Sequence, residues 1–332
     1  MNKRTKLVEW LSAIKGNRIV VWGDIVADHT LYGDTSRISR EAPVLILEKE
    51  WDNVAPGCAG NAIMNVAALG GIPIPVGVVG SDSMGKRLLR QLEKQAIDTS
   101  YIETRAASET AIKMRVLAGG LHTVKQQVIR IDSGGDYQSF SEAGIRKNLQ
   151  AALRNADGVI VSDYGLGTVR SGTFAALLRK RSLLSVIDSR YSLDDFAGAL
   201  SATPNEPELE ELRRVEIGDD EGVLEKAARD TLRNLSLEAL LVTRGKKGMA
   251  LFQSRKQRVD IPVSRVQDIV DVTGAGDTVI AAYTLALAAG APFEDAARLA
   301  NVAAGVAVMK LGAAAPDAAE VRGALREMVA SA

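Results

Sequence analysis

A helix that is apolar on nearly every face has to be surrounded by the rest of its protein, and the segment ending at Gly290 reads as such a helix. It opens at Gly274-Ala275-Gly276 after a short β-branched run from Asp268 to Thr273. Two glycines at a buried helix start let the backbone turn sharply and leave several N–H groups without intrahelical acceptors. With the positive end of the helix dipole, those donors suit phosphate oxygens. Asp277 follows at once, where the dipole should favour its ionised form. A carboxylate beside an anion hole can take a proton from an attacking hydroxyl while the hole stabilises charge on a phosphoryl group. That combination points to phosphoryl transfer to an alcohol. The plainer alternative is a glycine turn in which Asp277 only complements the dipole.

The chain has 332 residues, room for one large α/β domain or two small ones, and 46% of them are hydrophobic, enough for a sizeable core. Lys plus Arg and Asp plus Glu both number 41, so no global field favours nucleic acid or membrane. Cys58 is the one cysteine and there are two histidines, which excludes an intrachain disulfide and argues against zinc. Glu9 and Lys15 interrupt any signal-peptide core, and the apolar stretch 279–289 is too short to span a bilayer. A cytoplasmic protein is expected.

Taken in order, residues 6–15 pattern as a helix and Arg18–Trp22 as a strand, followed directly by Gly23-Asp24 and then Asp28. Polar groups just past the carboxyl end of a parallel strand are where open α/β sheets bind ligands. Val44 and Ile46 read as strand, with Pro43 arguing for a sheet edge. Pro56-Gly57-Cys58-Ala59-Gly60-Asn61 opens another helix, Pro75–Val79 is a strand, and Asp82/Ser83 cap a helix running to about Gln95. Thr110–Asp132 reads as a hairpin about Gly119-Gly120. Further strands are expected at 158–162, 184–187, 200–203 and 238–243, with helices between them and right-handed crossovers. The expected architecture is a doubly wound, mostly parallel sheet flanked by helices, made of 1–30, 53–104 and 136–332. The islands 31–52 and 105–135 are expected to form a small β lid, able to cover the mouth of the site and to pair two subunits as a homodimer.

Asp271-Val272-Thr273-Gly274-Ala275-Gly276-Asp277-Thr278 resembles the C-terminal signature of the ribokinase-like (PfkB) carbohydrate kinases. Within that family the strings Tyr32–Ser39, Glu41-Ala42-Pro43-Val44, Ser162-Asp163-Tyr164-Gly165, Thr203-Pro204-Asn205 and Lys310-Leu311-Gly312 are similar to those of the heptose-7-phosphate kinases. The resemblance implies an ATP-dependent kinase with a sugar phosphate as acceptor. It makes Asp277 the base and the backbone of Gly274, Ala275 and Gly276 the anion hole. Asp28, Gly57 and Asn61 match sugar-contacting positions. Asn205 and Glu208 match the Asn-x-x-Glu motif that organises magnesium and phosphates, Glu208 acting through water. Thr243, Gly245 and Gly248 match the nucleotide wall, with Asn301 near the base, and Asp271 and Thr273 match positions tied to a monovalent cation such as K+ in some relatives.

Three positions depart from that pattern. Cys58 stands where the early motif usually has its second glycine, Leu166 replaces a lysine, and Ser189-Arg190 replaces a Pro-Lys pair. For an acceptor that already carries a phosphate, Arg37, Lys113, Arg115 and Arg130 are the candidate clamp, although a charge at such a position is more often a solvated strand-face charge. Two other functions compete. A nicotinamide dehydrogenase would need Gly-x-Gly-x-x-Gly after the first strand, where Gly23-Asp24-Ile25-Val26-Ala27-Asp28 stands instead. A non-catalytic sugar sensor would be expected to lack Asp277 or the anion hole.

Overall fold

The computed structural model describes residues 3–119, 125–138, 141–177, 183–264 and 270–330. In chain order its elements are α1 (Lys3–Ala13), β1 (Arg18–Gly23), β2 (Ile25–Ile38), β3 (Leu45–Cys58), α2 (Ala59–Ala68), β4 (Ile72–Gly80), α3 (Ser83–Lys94) and β5 (Ile102–Arg105). Then come β6 (Ile112–Gly119), β7 (Gln126–Ser133), α4 (Ala143–Ala152), β8 (Gly158–Asp163), α5 (Ser171–Leu177), β9 (Leu184–Ser189) and β10 (Ser201–Ala202). The last third holds α6 (Glu206–Arg213), α7 (Glu221–Leu235), β11 (Ala239–Thr243), β12 (Met249–Gln253), β13 (Val259–Ile261), α8 (Ala275–Ala288), α9 (Phe293–Ala307) and α10 (Ala318–Ala330).

Nine strands form one sheet in the order β13-β12-β11-β10-β9-β8-β1-β4-β5. It is parallel from β5 to β11, and the last two pairings are antiparallel. The α/β expectation therefore holds, with β5, β12 and β13 as strands that the sequence reading does not supply. Side chains alternate along β1. Ile19 and Val21 face the layer of α1, α2, α8 and α9, whereas Val20 and Trp22 face the layer containing α4 and α7. Strand order reverses between β1 and β8, so the chain leaves their carboxyl ends in opposite directions and opens a crevice there.

The second sheet has four strands in the order β3-β2-β6-β7. β2 pairs antiparallel with β3 and parallel with β6, and β6 pairs antiparallel with β7. β3 is an edge, as Pro43 suggests. The strands run deeper than the islands 31–52 and 105–135: β2 begins at Ile25, one residue after β1, and β3 continues to Cys58. Of the expected Gly119-Gly120 turn, Gly120 lies outside the described residues.

Candidate active site

The helix start foreseen at Gly274 is real. Gly274 is the N-cap of α8 with φ 77°, and a Cβ there would lie 2.3 Å from Asn61 Nδ2, so both the backbone angle and the close approach demand glycine. Ala275 turns its N–H back onto Val272 O at 3.2 Å. Gly276 opens onto free space on its Cβ side. α8 is buried from Asp277 to Leu287, which matches the apolar circumference read from sequence.

Asp277 is 6% exposed. Asn61 Nδ2 donates to its Oδ2 at 2.8 Å and the Tyr164 hydroxyl donates to its Oδ1 at 3.2 Å. Behind Asn61, Asn65 Nδ2 donates to Asn61 Oδ1 at 3.1 Å, and Thr278 Oγ1 donates to Asn65 Oδ1 at 2.8 Å. Each amide is thus fixed in one orientation by its neighbour. Burial pushes the Asp277 carboxyl up to about 6, against the pull of the Asn61 and Tyr164 hydrogen bonds. Here the sequence expectation needs correcting. The dipole at the helix start does not dominate; desolvation does, and it makes the carboxylate a stronger base.

Asp28 projects from β2 and accepts from Arg115 Nη1 of β6 at 2.6 Å. A Cβ on Gly57 would stand 2.3 Å from Asp28 Oδ2, so the glycine of the neighbouring strand makes room for that carboxylate. Lys113 Nζ lies 2.8 Å from Cys58 Sγ and 4.8 Å from the centre of the Tyr164 ring. It has no carboxylate at ion-pair distance among the described residues. Arg130 forks onto Asp132 at 2.7 and 2.8 Å, though its charge still feels Asp28 and Cys58. Arg37 is exposed at the far end of β2. Asp28, Gly57, Asn61, Lys113, Arg115 and Asp277 therefore converge, and Arg37 does not join them. Cys58 adopts φ 54°, a glycine-like angle, and its thiol is pushed up to about 12 by burial. Leu166 packs with Cys58, Val26 and Ala111, so the two departures share one apolar patch.

Asn205 caps α6. Its Oδ1 accepts from Glu208 N at 2.8 Å, and Glu208 Oε2 accepts from Asn205 N at 2.9 Å, a reciprocal capping box. Burial raises the Glu208 carboxyl, opposed by that capping hydrogen bond and by the Arg190 charge. Asp188, at the end of β9, is raised well above the usual range by burial and then by the charges of Glu208, Asp277 and Asp163. A cavity of ≈ 270 Å³ is lined by Thr243, Gly245, Gly248, Ala275, Gly276 and Asn301 among others. Asn301 Nδ2 donates to Pro262 O at 2.9 Å, which orients the amide at the cavity wall. Asp271 accepts from Thr273 N at 2.9 Å and Gly312 N at 3.0 Å, joining the segment before α8 to the one after α9. Arg190 lines a second cavity of ≈ 440 Å³ that also reaches Glu208.

The model of the pfkB family carbohydrate kinases matches residues 17–320. The chain belongs to that family. It is 38% identical over 323 residues to the bifunctional protein HldE of Coxiella burnetii (strain RSA 331 / Henzerling II), covering 97% of this chain and 66% of that relative. It is 37% identical over 314 residues to the bifunctional protein HldE of Proteus mirabilis (strain HI4320), covering 94% of this chain and 64% of the relative. The chain thus spans about two thirds of the length of these curated relatives. The Arabidopsis thaliana ribokinase complexed with ribose and ATP shares the fold with a TM-score of 0.74 at 20% identity, covering 94% of this chain and 99% of that one. Escherichia coli phosphofructokinase-2 in complex with potassium gives 0.76 at 18%, covering 95% and 99%.

Two residues of this pfkB kinase carry parts of the site that sequence reasoning leaves without a role. Tyr164 reaches Asp277 across the crevice. Asp24, fully buried, accepts from the backbone N–H of Tyr164 at 2.8 Å and of Leu166 and Thr168 at 3.1 Å, holding the loop that presents the tyrosine. The signal was the strand-end motif Gly23-Asp24 itself. A buried carboxylate at a sheet's switch point needs several donors, and a neighbouring strand-end loop is the nearest supply.

Proposed function

We propose that this carbohydrate kinase transfers the γ-phosphoryl group of ATP to a hydroxyl of D-glycero-D-manno-heptose 7-phosphate. One observation carries the phosphorylated acceptor. Lys113 places its ammonium group beside the Cys58 thiol and the Tyr164 ring, whereas Arg115 already answers Asp28. A half-buried cation that feels Asp277 and Asp132 but has no carboxylate at ion-pair distance among the described residues suits a substrate phosphate. The other sugar kinases of this fold, acting on ribose or fructose, are the competing choice.

In this reading Asp28 and Asn61 orient the sugar, Asp277 takes the proton of the attacking hydroxyl, and the open N–H groups at the start of α8 face the charge on the transferring group. Tyr164 and Asn61 hold the base in line while it changes charge. The nucleotide occupies the cavity between Thr243, Gly245, Gly248 and Asn301. Glu208, acting through water, fits a magnesium ion, because it and Asp188 are carboxylates whose mutual repulsion a cation would relieve. When bound, that ion would draw charge from the phosphates. Asp271 and Thr273 are the proposed surroundings of a monovalent cation. The lid, 31–52 with 105–135 in the sequence division, closes over the sugar and pairs two subunits. Ile38, Leu45, Trp51, Val128, Ile129 and Ile131 are all exposed on it, which supports that pairing. A monomer by light scattering at micromolar concentration would reject the dimer.

The decisive assay compares kcat/KM for heptose 7-phosphate with heptose, ribose, fructose and fructose phosphates at fixed Mg·ATP. Heptose 7-phosphate is expected to lead. A neutral sugar in first place would overturn the phosphorylated acceptor.

A further inference from the structure

Arg244 lies outside the chemistry described so far, yet it is 8% exposed and bonded on every side. It directly follows Thr243, which bridges Asn205 and donates its N–H to Pro204 O at 3.0 Å. The Arg244 backbone closes the glycine loop: its N–H donates to Gly248 O at 2.8 Å and its carbonyl accepts from Lys247 N at 3.0 Å. Its guanidinium then runs to the starts of two helices. Nε and Nη2 share Glu206 Oε1 at 3.4 and 3.3 Å, while Nη1 and Nη2 fork onto Glu221 at 3.2 and 2.8 Å. Glu206 is the first residue of α6, next to the Asn205 cap, and Glu221 is the first of α7. Arg258 also bonds Glu221 at 2.7 Å and Asp260 at 2.8 Å, extending the network to β13.

A helix start with a carboxylate in its first turn is already stable in water, and an ion pair that buries the arginine but leaves Glu221 half exposed adds little net stability. The arrangement therefore asks for another use. A planar guanidinium fixes two carboxylates at a set distance and angle, which an ammonium on a flexible stem cannot do. Here the two carboxylates belong to helix starts, and the arginine itself belongs to the loop that lines the nucleotide cavity.

We propose that Arg244 is a positioning residue that sets the glycine loop 245–248 and the Asn205–Glu208 capping box in register, so that the nucleoside and the phosphates of one ATP meet both at once. The inference rests on the assignment of Asn205, Glu208 and the Thr243–Gly248 loop to ATP. Breaking the staple loosens the relation between the two ends of the nucleotide site and leaves the sugar crevice alone.

The test is steady-state kinetics of Arg244→Lys, Arg244→Gln and Glu206→Gln, each at a temperature where circular dichroism shows it folded. The expected result is a rise in KM for Mg·ATP of about tenfold for Arg244→Gln and less for the other two, the scale of one lost charge-assisted contact. KM for the sugar should stay within about twofold, and the magnesium concentration for half-maximal rate should rise with KM for ATP. Glu208→Gln serves as the reference. If it shifts the magnesium and ATP dependence while all three staple variants keep wild-type values, Arg244 is a structural ion pair and the inference is wrong. If Glu208→Gln itself leaves both unchanged, the assignment of the ATP site has failed first. Wild-type kinetics combined with a lowered melting temperature in Arg244→Gln also overturns the inference, since only a structural role predicts that pair of results.

Discussion

The base of this site and its lid are built from opposite materials. Around α8 nearly every side chain is buried, neighbours are alanine, valine, leucine and isoleucine, and the polar groups form a short relay in which each amide is held by the next. The lid exposes all of β7 and is tied to the core by charge. Asp52 of β3 accepts from His29 at 2.9 Å, from Lys49 at 2.7 Å and from Arg87 of α3 at 3.0 Å, and Lys49 and then Arg87 hold its carboxyl well below the usual range. Close packing fixes geometry and desolvates Asp277. Exposed ion pairs fix little but can be traded for contacts with an incoming ligand.

The largest effect should come from the core side. Asp277→Asn is expected to lower kcat by about 10²–10⁴, the range for a positioned general base, with ATP binding retained. With Asp277 as the proposed base, active as the carboxylate and raised to about 6 by burial, the wild-type kcat/KM should fall as pH drops through that value and flatten above it. The residual activity of Asp277→Asn should lack that limb. A wild-type profile flat down to pH 5, with chemistry rate-limiting, would sink the assignment.

Next in size is packing. Ile280→Ala, at a fully buried position of α8, should cost about 2–5 kcal/mol by urea denaturation. The same truncation at Ile129 of β7, 52% exposed, should stay within about 0.5 kcal/mol for the isolated subunit. Similar losses at both sites would break the contrast between core and lid.

Lys113→Met should lower kcat/KM for a sugar phosphate by about 10–100-fold, the value of a hydrogen bond to a charged group, while leaving a neutral sugar within about threefold. Equal loss for both acceptors would place Lys113 in general sugar binding and remove the argument for a phosphorylated substrate. A smaller effect is expected at Trp51, stacked on Tyr32 at 3.8 Å between ring centroids. Trp51→Ala should cost about 0.5–1.5 kcal/mol and weaken subunit pairing, read by light scattering across a dilution series.

The same contrast decides what the sequence could reveal. β1, β8 and β11 hold continuous apolar runs because both their faces are covered, and such runs stand out. β2 carries Tyr32, Gly33, Asp34, Thr35 and Arg37 and is broken by two register shifts, so its full length to Ile25 has no clean alternation to show. β12 and β13 are five and three residues long, added antiparallel at the sheet edge, too short for a pattern of their own. Asp277, Gly274, Asn61 and Asp28 were legible because helix starts and strand ends announce themselves. Tyr164 was not, since its meeting with Asp277 is made by the crossing of β8 and α8 and leaves no spacing in the chain.

The lid's topology also sets an order of assembly. β2 and β6 pair in parallel, Ala27 against Ile112 through Asp34 against Gly119, with α2, β4, α3 and β5 lying between them in sequence. That pairing closes a long loop before any contact rewards it, whereas the hairpins β2–β3 and β6–β7 are local. By that argument the two hairpins are expected to join after the central sheet has brought their roots together. During refolding, the cavity walled by β11 and α8 should therefore recover its ligand affinity earlier than the crevice beneath the lid, and a chain caught between those moments would bind a nucleotide with no acceptor to receive its phosphate.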